Sequence, residues 1–133
     1  MKQAGTKKRQ AANHDLVLAA LQKTAKPLTA YELLDRLRPN GVTAPPTIYR
    51  ALDRLIEEGR AHRLESLNAF VACAHPHSQH GGAAIFAICG DCQTVEELSG
   101  ANLNKHIAAV ARNASFDLNR AVLELHGRCR ACR

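Results

Sequence analysis

The spacing of apolar and polar positions divides the chain into three short helices, a hairpin and a smaller mixed unit. The run Asn13 to Leu21 opens on a capping residue and sets Leu16, Val17, Ala20 and Leu21 at helical spacing, with Lys26-Pro27 ending it. Thr29 and Glu32, three residues apart, fit a capping box. The helix they open buries Leu33, Leu34 and Leu37 and stops at Arg38-Pro39-Asn40-Gly41. The pair Pro45-Pro46 suits the first turn of a third helix, in which Ile48, Leu52, Leu55 and Ile56 make one apolar face and Gly59 the stop. Its other side carries Tyr49, Arg50, Asp53, Arg54 and Glu57. Two extended runs follow, Ala61 to Glu65 and Ala69 to Cys73, joined by Ser66-Leu67-Asn68.

Beyond a polar, histidine-rich stretch from His75 to Gly82, Ala83 to Ile88 reads as a strand and Thr94 to Leu98 as its continuation in a sheet. Asn102 to Ala114 predicts a helix with Leu103, Ile107, Val110 and Ala111 as its apolar stripe. Phe116 to His126 ends in the alternation Val122-Leu123-Glu124-Leu125-His126 and reads as a further strand. The fold class is therefore α+β: an N-terminal winged helix-turn-helix over 1–73, a hinge or linker over 74–82, and a small C-terminal α/β unit over 83–133. A sheet this small has exposed edges, so pairing with a second copy is expected.

Charge sharpens the first half. Twelve Lys/Arg stand against seven Asp/Glu up to residue 72, and six against five beyond it. Basic charge concentrated on a helix-turn-helix order is the footprint of a nucleic-acid-binding module. The third helix would enter the major groove, with Tyr49, Arg50 and Arg54 able to stack, contact phosphate or read guanine. Lys7, Lys8 and Arg9 form a basic arm that could touch phosphate. For any one of these residues the ordinary alternative is a solvated charge or, for Tyr49, a packing ring. No stretch has signal-peptide or transmembrane character, so a cytoplasmic location and no membrane partner are expected.

The five cysteines then decide the chemistry. Cys89-Gly90-Asp91-Cys92 and Cys129-Arg130-Ala131-Cys132 are two Cys-x-x-Cys knuckles, the pattern of a closed four-thiolate zinc site that is structural and offers nothing to a substrate. Cys73 stands apart beside His75, His77 and His80. Glu124 and His126 share a strand face and with Glu96 and a linker histidine would form a third, weaker site; a surface pair is the more ordinary reading. His14 and His106 read as solvated surface residues. Enzyme readings fail. No His-x-Glu precedes the first knuckle, where Ile88 stands in place of the proline of a zinc deaminase, and there is no phosphate loop or nucleophile elbow. No small-molecule substrate is expected.

Together these motifs resemble the ferric uptake regulator (Fur) family. Pro45-Pro46-Thr47-Ile48-Tyr49-Arg50-Ala51-Leu52 is similar to its recognition-helix motif, and the two knuckles, with Glu124-Leu125-His126-Gly127-Arg128 leading into the second, to its structural zinc site. Ala61 to Ser66 and the isolated Cys73 look most like the zinc uptake branch. The resemblance implies a homodimeric repressor of zinc-uptake genes that binds a palindromic duplex, with two zinc ions per chain. Thr47, Tyr49, Arg50 and Arg54 are its implied DNA contacts. The implied regulatory zinc ligands are His62, Cys73, His80 and Glu97, with His75 and His77 as alternatives to His80. One sulfur, two imidazoles and a carboxylate suit tetrahedral zinc. The family's Thr-Pro-x-Arg in the first helix is absent; Ala11-Ala12-Asn13-His14 stands there. Two other readings remain open: a regulator of the same fold sensing iron or peroxide, and a zinc-binding protein-interaction module with no DNA target.

Overall fold

The structure is a computed structural model that describes residues 13–73 and 83–133. It divides into two compact units, one from residues up to Pro76 and one from His77 onward. In the first, residues 13–22 form helix α1, followed by α2 (Ala30–Leu37), a 3-10 turn (Arg38–Asn40) and α3 (Pro45–Glu57). Strands β1 (Ala61–Leu64) and β2 (Ala69–Ala72) then pair antiparallel as the wing.

Each of these elements has a local cause. The Thr29 hydroxyl accepts from the Glu32 N–H at 3.2 Å and the Glu32 carboxylate from the Thr29 N–H at 3.1 Å, so the capping box is complete. We expect Thr29→Ala to cost the first unit about 1 kcal/mol, read as a lower unfolding midpoint in urea. Helix α3 stops because Gly59 takes the left-handed conformation (φ 73°) and lets the Arg60 N–H reach the Leu55 carbonyl at 2.8 Å. Leu28 exchanges both backbone hydrogen bonds with Phe70, stapling the chain ahead of α2 to the wing. The core is Val17 and Leu21 of α1, Leu33, Leu34 and Leu37 of α2, and Ile48, Leu52 and Leu55 of α3, closed beneath the wing by Ala61 and Phe70. With that core fixed, Tyr49, Arg50 and Arg54 face outward.

His14 departs from the sequence expectation. It is not solvated but 7% exposed, because residues 14, 17, 18 and 21 share the inward stripe of α1. His106 is exposed, as expected.

The second unit is a three-stranded sheet of order β4-β3-β5, formed by β3 (Ala83–Cys89), β4 (Val95–Leu98) and β5 (Ala121–Gly127), with helix α4 (Ala101–Asn113) between β4 and β5. Strand β4 pairs antiparallel and β5 parallel to β3. One expectation changes here. Phe116 does not begin a strand; Ser115 turns left-handed (φ 54°), the Phe116 N–H caps the Ala111 carbonyl at 2.8 Å, and β5 starts only at Ala121. The α4 stripe is partly open, with Leu103 38% and Val110 58% exposed. The helix lies close to β3 at its first turn, where Gly100 sits against Ile85 and the Asn104 side-chain oxygen Oδ1 accepts from the Ala83 N–H at 2.8 Å.

Candidate metal centres and nucleic-acid interface

The parallel pairing of β3 with β5 creates the first centre. Cys89 ends β3 opposite Gly127, the last residue of β5, so both knuckles leave the sheet at the same end. The Gly90 N–H donates to the Gly127 carbonyl at 2.8 Å and joins them. An exposed ion pair, Arg128 Nε to Asp91 Oδ2 at 3.4 Å, spans them further out. All four sulfurs of Cys89, Cys92, Cys129 and Cys132 lie within 4.8 Å of one another.

Zinc fits this cluster. Zn–S bonds of about 2.3 Å place the sulfurs of a tetrahedron about 3.8 Å apart. Cys92 Sγ lies 3.7 Å from Cys129 Sγ. The electrostatics agree. Backbone N–H groups of Cys92 and Cys129 aimed at its sulfur draw the Cys89 thiol down to about 6, the former donating at 3.5 Å. The Thr94 hydroxyl, 3.0 Å from Cys92 Sγ, lowers that thiol as well. Cys132 is pushed up to about 12 by the sulfurs of Cys129, Cys89 and Cys92. Four crowded thiols cannot all ionise alone; a dication among them removes that conflict.

The wing brings together two further ligand types. His62 on β1 pairs with Val71, and Cys73 follows two residues on along the same face of the hairpin. The Cys73 N–H donates to the Arg60 carbonyl at 2.9 Å, which fixes its position just past β2. A ligand atom of His62 and Cys73 Sγ lie within 4.8 Å of each other. In the second unit Glu97 lies on β4 opposite Phe86, with Glu124 on the other side of Phe86 on β5. The implied ligands His75, His77 and His80, like the arm residues Lys7, Lys8 and Arg9, lie outside the described residues.

The residues suggested for a third site are divided by register. Glu124 and His126 share the face of Phe86 and Ile88, and His126 Nε2 is 3.6 Å from Glu124 Oε1. Glu96 pairs with Ala87, one position out of phase, and so faces the other way.

On α3, Tyr49 is 46% exposed and Arg50 is also exposed. Arg54 Nε donates to Glu58 Oε2 at 3.3 Å across one helical turn, an exposed pair of little energetic weight. Thr47 is half-buried in the first turn. Thr47, Arg50 and Arg54 lie along one side of α3, with Tyr49 further round the helix. What the sequence reading missed is that Arg50, Arg54 and Thr47 also wall a cleft with Asn13, His14 and Ala51. The signal was present in the spacing of residues 14, 17, 18 and 21.

Comparison with known proteins follows the same lines. No family model matches the chain. The zinc uptake regulation protein of Escherichia coli K12 is 40% identical over 118 residues, covering 88% of this chain and 67% of that protein. A solved zinc uptake regulator complexed with zinc and DNA superposes with a TM-score of 0.81 at 33% identity, covering 96% of this chain and 90% of the other. The crystal structure of holo XcZur gives 0.80 at 42% identity, covering 90% and 82%. Among the described residues no helix is long and apolar enough to cross a membrane. With the knuckles, the recognition helix and the wing all in place, this chain belongs to the ferric uptake regulator family, in its zinc uptake regulator branch.

Proposed function

We infer that the chain is a zinc-responsive, DNA-binding transcriptional repressor of zinc-uptake genes, and not an enzyme. The observation that carries this reading is its match, over 96% of its length, to a regulator solved with both zinc and DNA. Residues 1–73 act as the DNA-binding domain, 74–82 as the hinge and 83–133 as the dimerisation and structural zinc domain. Thr47, Tyr49, Arg50 and Arg54 meet the duplex. Lys7, Lys8 and Arg9 add phosphate contacts.

Two zinc ions per chain have separate tasks. Cys89, Cys92, Cys129 and Cys132 hold one for stability. His62, Cys73, His80 and Glu97 hold the regulatory one, with His75 or His77 as alternatives to His80. The proximity of His62 and Cys73 on the wing supports the set, since imidazole and thiolate together select zinc over harder ions. An ion whose ligands come from both units biases their relative orientation, and a preference for the DNA-competent state of about 10⁴-fold swings the population fully. Glu124 and His126, with Glu96 facing away from them, serve as a surface pair rather than a third ligand set.

The protein works as a homodimer on a palindromic operator in the cytoplasm. Leu103 and Val110 of α4, Leu125 of β5 and Phe116 between them are exposed apolar side chains, which supports a second copy as their cover. The test is fluorescence anisotropy on a palindromic duplex with saturating zinc and after mild chelation. Tight binding only with zinc is expected, and equal affinity in the two conditions would refute the switch. In the same assay Arg50→Ala should cost about 1–3 kcal/mol on the operator and narrow the gap to a scrambled duplex.

A further inference from the structure

We propose that the cleft between α1 and α3 is a seat for a DNA backbone phosphate, in which the imidazole of His14 binds the phosphodiester in its protonated form. The proposal rests on the DNA-binding reading above and adds to it a site, a ligand class and a proton.

The cleft is built for an anion. Arg50 and Arg54 supply two guanidinium groups, Asn13 and Thr47 supply neutral hydrogen-bonding groups, and Ala51 leaves room at the floor. Among the described residues no carboxylate pairs with Arg50. Thr47 stands in the first turn of α3 and Arg54 in its last, so the cleft runs along the helix, and Arg54 shares its charge with Glu58 at 3.3 Å. His14 lines this space at only 7% exposure, a polar side chain turned inward on a stripe otherwise apolar. Position favours a backbone phosphate over a free anion, because Tyr49, Arg50 and Arg54 on the same helix are the groups that meet the duplex. Phosphates flank a docked recognition helix on both sides, and the cleft opens beside Arg50 and Arg54 of that helix.

The surroundings of His14 set the sign of the proton effect. Arg50 and Arg54 of α3, Glu58 just past its end, Arg60 ahead of β1, and Asp15 of its own helix are the charged groups about it. Burial first, and then the Arg54 charge, hold the imidazole below its ordinary range, so in the free protein it is neutral at pH 7. A phosphate entering the cleft offsets the Arg54 charge and accepts from the second imidazole N–H. That raises the histidine's proton affinity in the complex. Binding therefore takes up a proton, and affinity rises as pH falls through the complex's pKa and levels off below that of the free protein. Each unit by which the duplex raises that pKa is about a tenfold gain in affinity. At pH 8 the cleft holds its phosphate through the arginines alone.

The experiment measures duplex affinity by anisotropy at saturating zinc, between pH 6 and pH 8 and over a series of KCl concentrations. The wild-type protein should bind more tightly at the lower pH, with a steeper salt dependence there. His14→Gln should flatten the pH profile and lower the salt slope at pH 6 by up to about 0.9, one phosphate's worth, with little change at pH 8. His14→Arg, charged throughout, should hold the low-pH affinity across the range. Proton titration of the wild-type His14 resonance gives a reading that needs no variant: its pKa should rise on adding duplex and stay put on adding inorganic phosphate at matched ionic strength. Identical pH and salt profiles for wild type and His14→Gln, or an equal response to inorganic phosphate, would overturn the proposal while leaving the DNA-binding reading intact. A wild-type protein that binds no duplex at either pH overturns both.

Discussion

Cys129→Ser should abolish tight zinc binding at the two knuckles and unfold the second unit while the first still melts cooperatively. The reasoning is a comparison of magnitudes. A structural zinc contributes on the order of 10 kcal/mol or more to a small unit, as much as the whole stability of an ordinary domain. Among the described residues of the second unit the buried apolar ones are Ile85, Phe86, Ile88 and Cys89, too few to offset that loss. A hydroxyl in place of the Cys129 thiol leaves three sulfurs and no fourth anionic donor at neutral pH. The first unit has its own core of leucines and should keep its transition. Zinc per chain by elemental analysis and two-wavelength circular dichroism during heating read both effects. A variant that keeps its zinc and both transitions would show that the four sulfurs are not the metal's ligands.

Cys73→Ser should have the opposite profile: an intact fold with a lost response. The Cys73 backbone, through its 2.9 Å bond to the Arg60 carbonyl, is unaffected by the side-chain change, so the wing should stay paired. What goes is the one soft donor of the regulatory set. We expect one zinc per chain to survive mild chelation in both wild type and variant, and only the wild type to take up a second. The zinc-dependent gain in duplex affinity, up to about 10⁴-fold for a full swing, should largely vanish. Loss of folding in this variant would assign Cys73 to the structure instead.

Most of the first unit was legible because its signals are local. Thr29 with Glu32, Pro45 with Pro46, and Gly59 each act within one helical turn, and each does in the structure what its chemistry demands. The four-thiolate cluster was legible for a different reason: a duplicated two-residue spacing has few other uses. Misses arose where a residue's role depends on what lies across from it. His14 carries a polar side chain on an apolar stripe, and only the packing of α1 against α3 shows the stripe winning. Phe116 looked like a strand residue because the left-handed turn before it is made by Ser115, not by the glycine that usually marks such a stop. The α4 stripe is apolar as its spacing implies, and among the described residues Leu103 and Val110 of it are exposed. Glu96 was grouped with Glu124 and His126 by proximity in sequence and sheet, and one step of register separates them.

The parallel run of β5 beside β3 has a consequence for how the chain arrives at its fold. Pairing Ala83 with Ala121 closes a long stretch of chain, so the second unit depends on contacts made late and at entropic cost, unlike the helical first unit. A slip of β5 by one residue would keep most of its backbone hydrogen bonds while turning Gly127, and the knuckle after it, to the wrong face. Only the correct alignment brings all four sulfurs together. A metal bound by these four sulfurs would thus favour the correct register over every misaligned form.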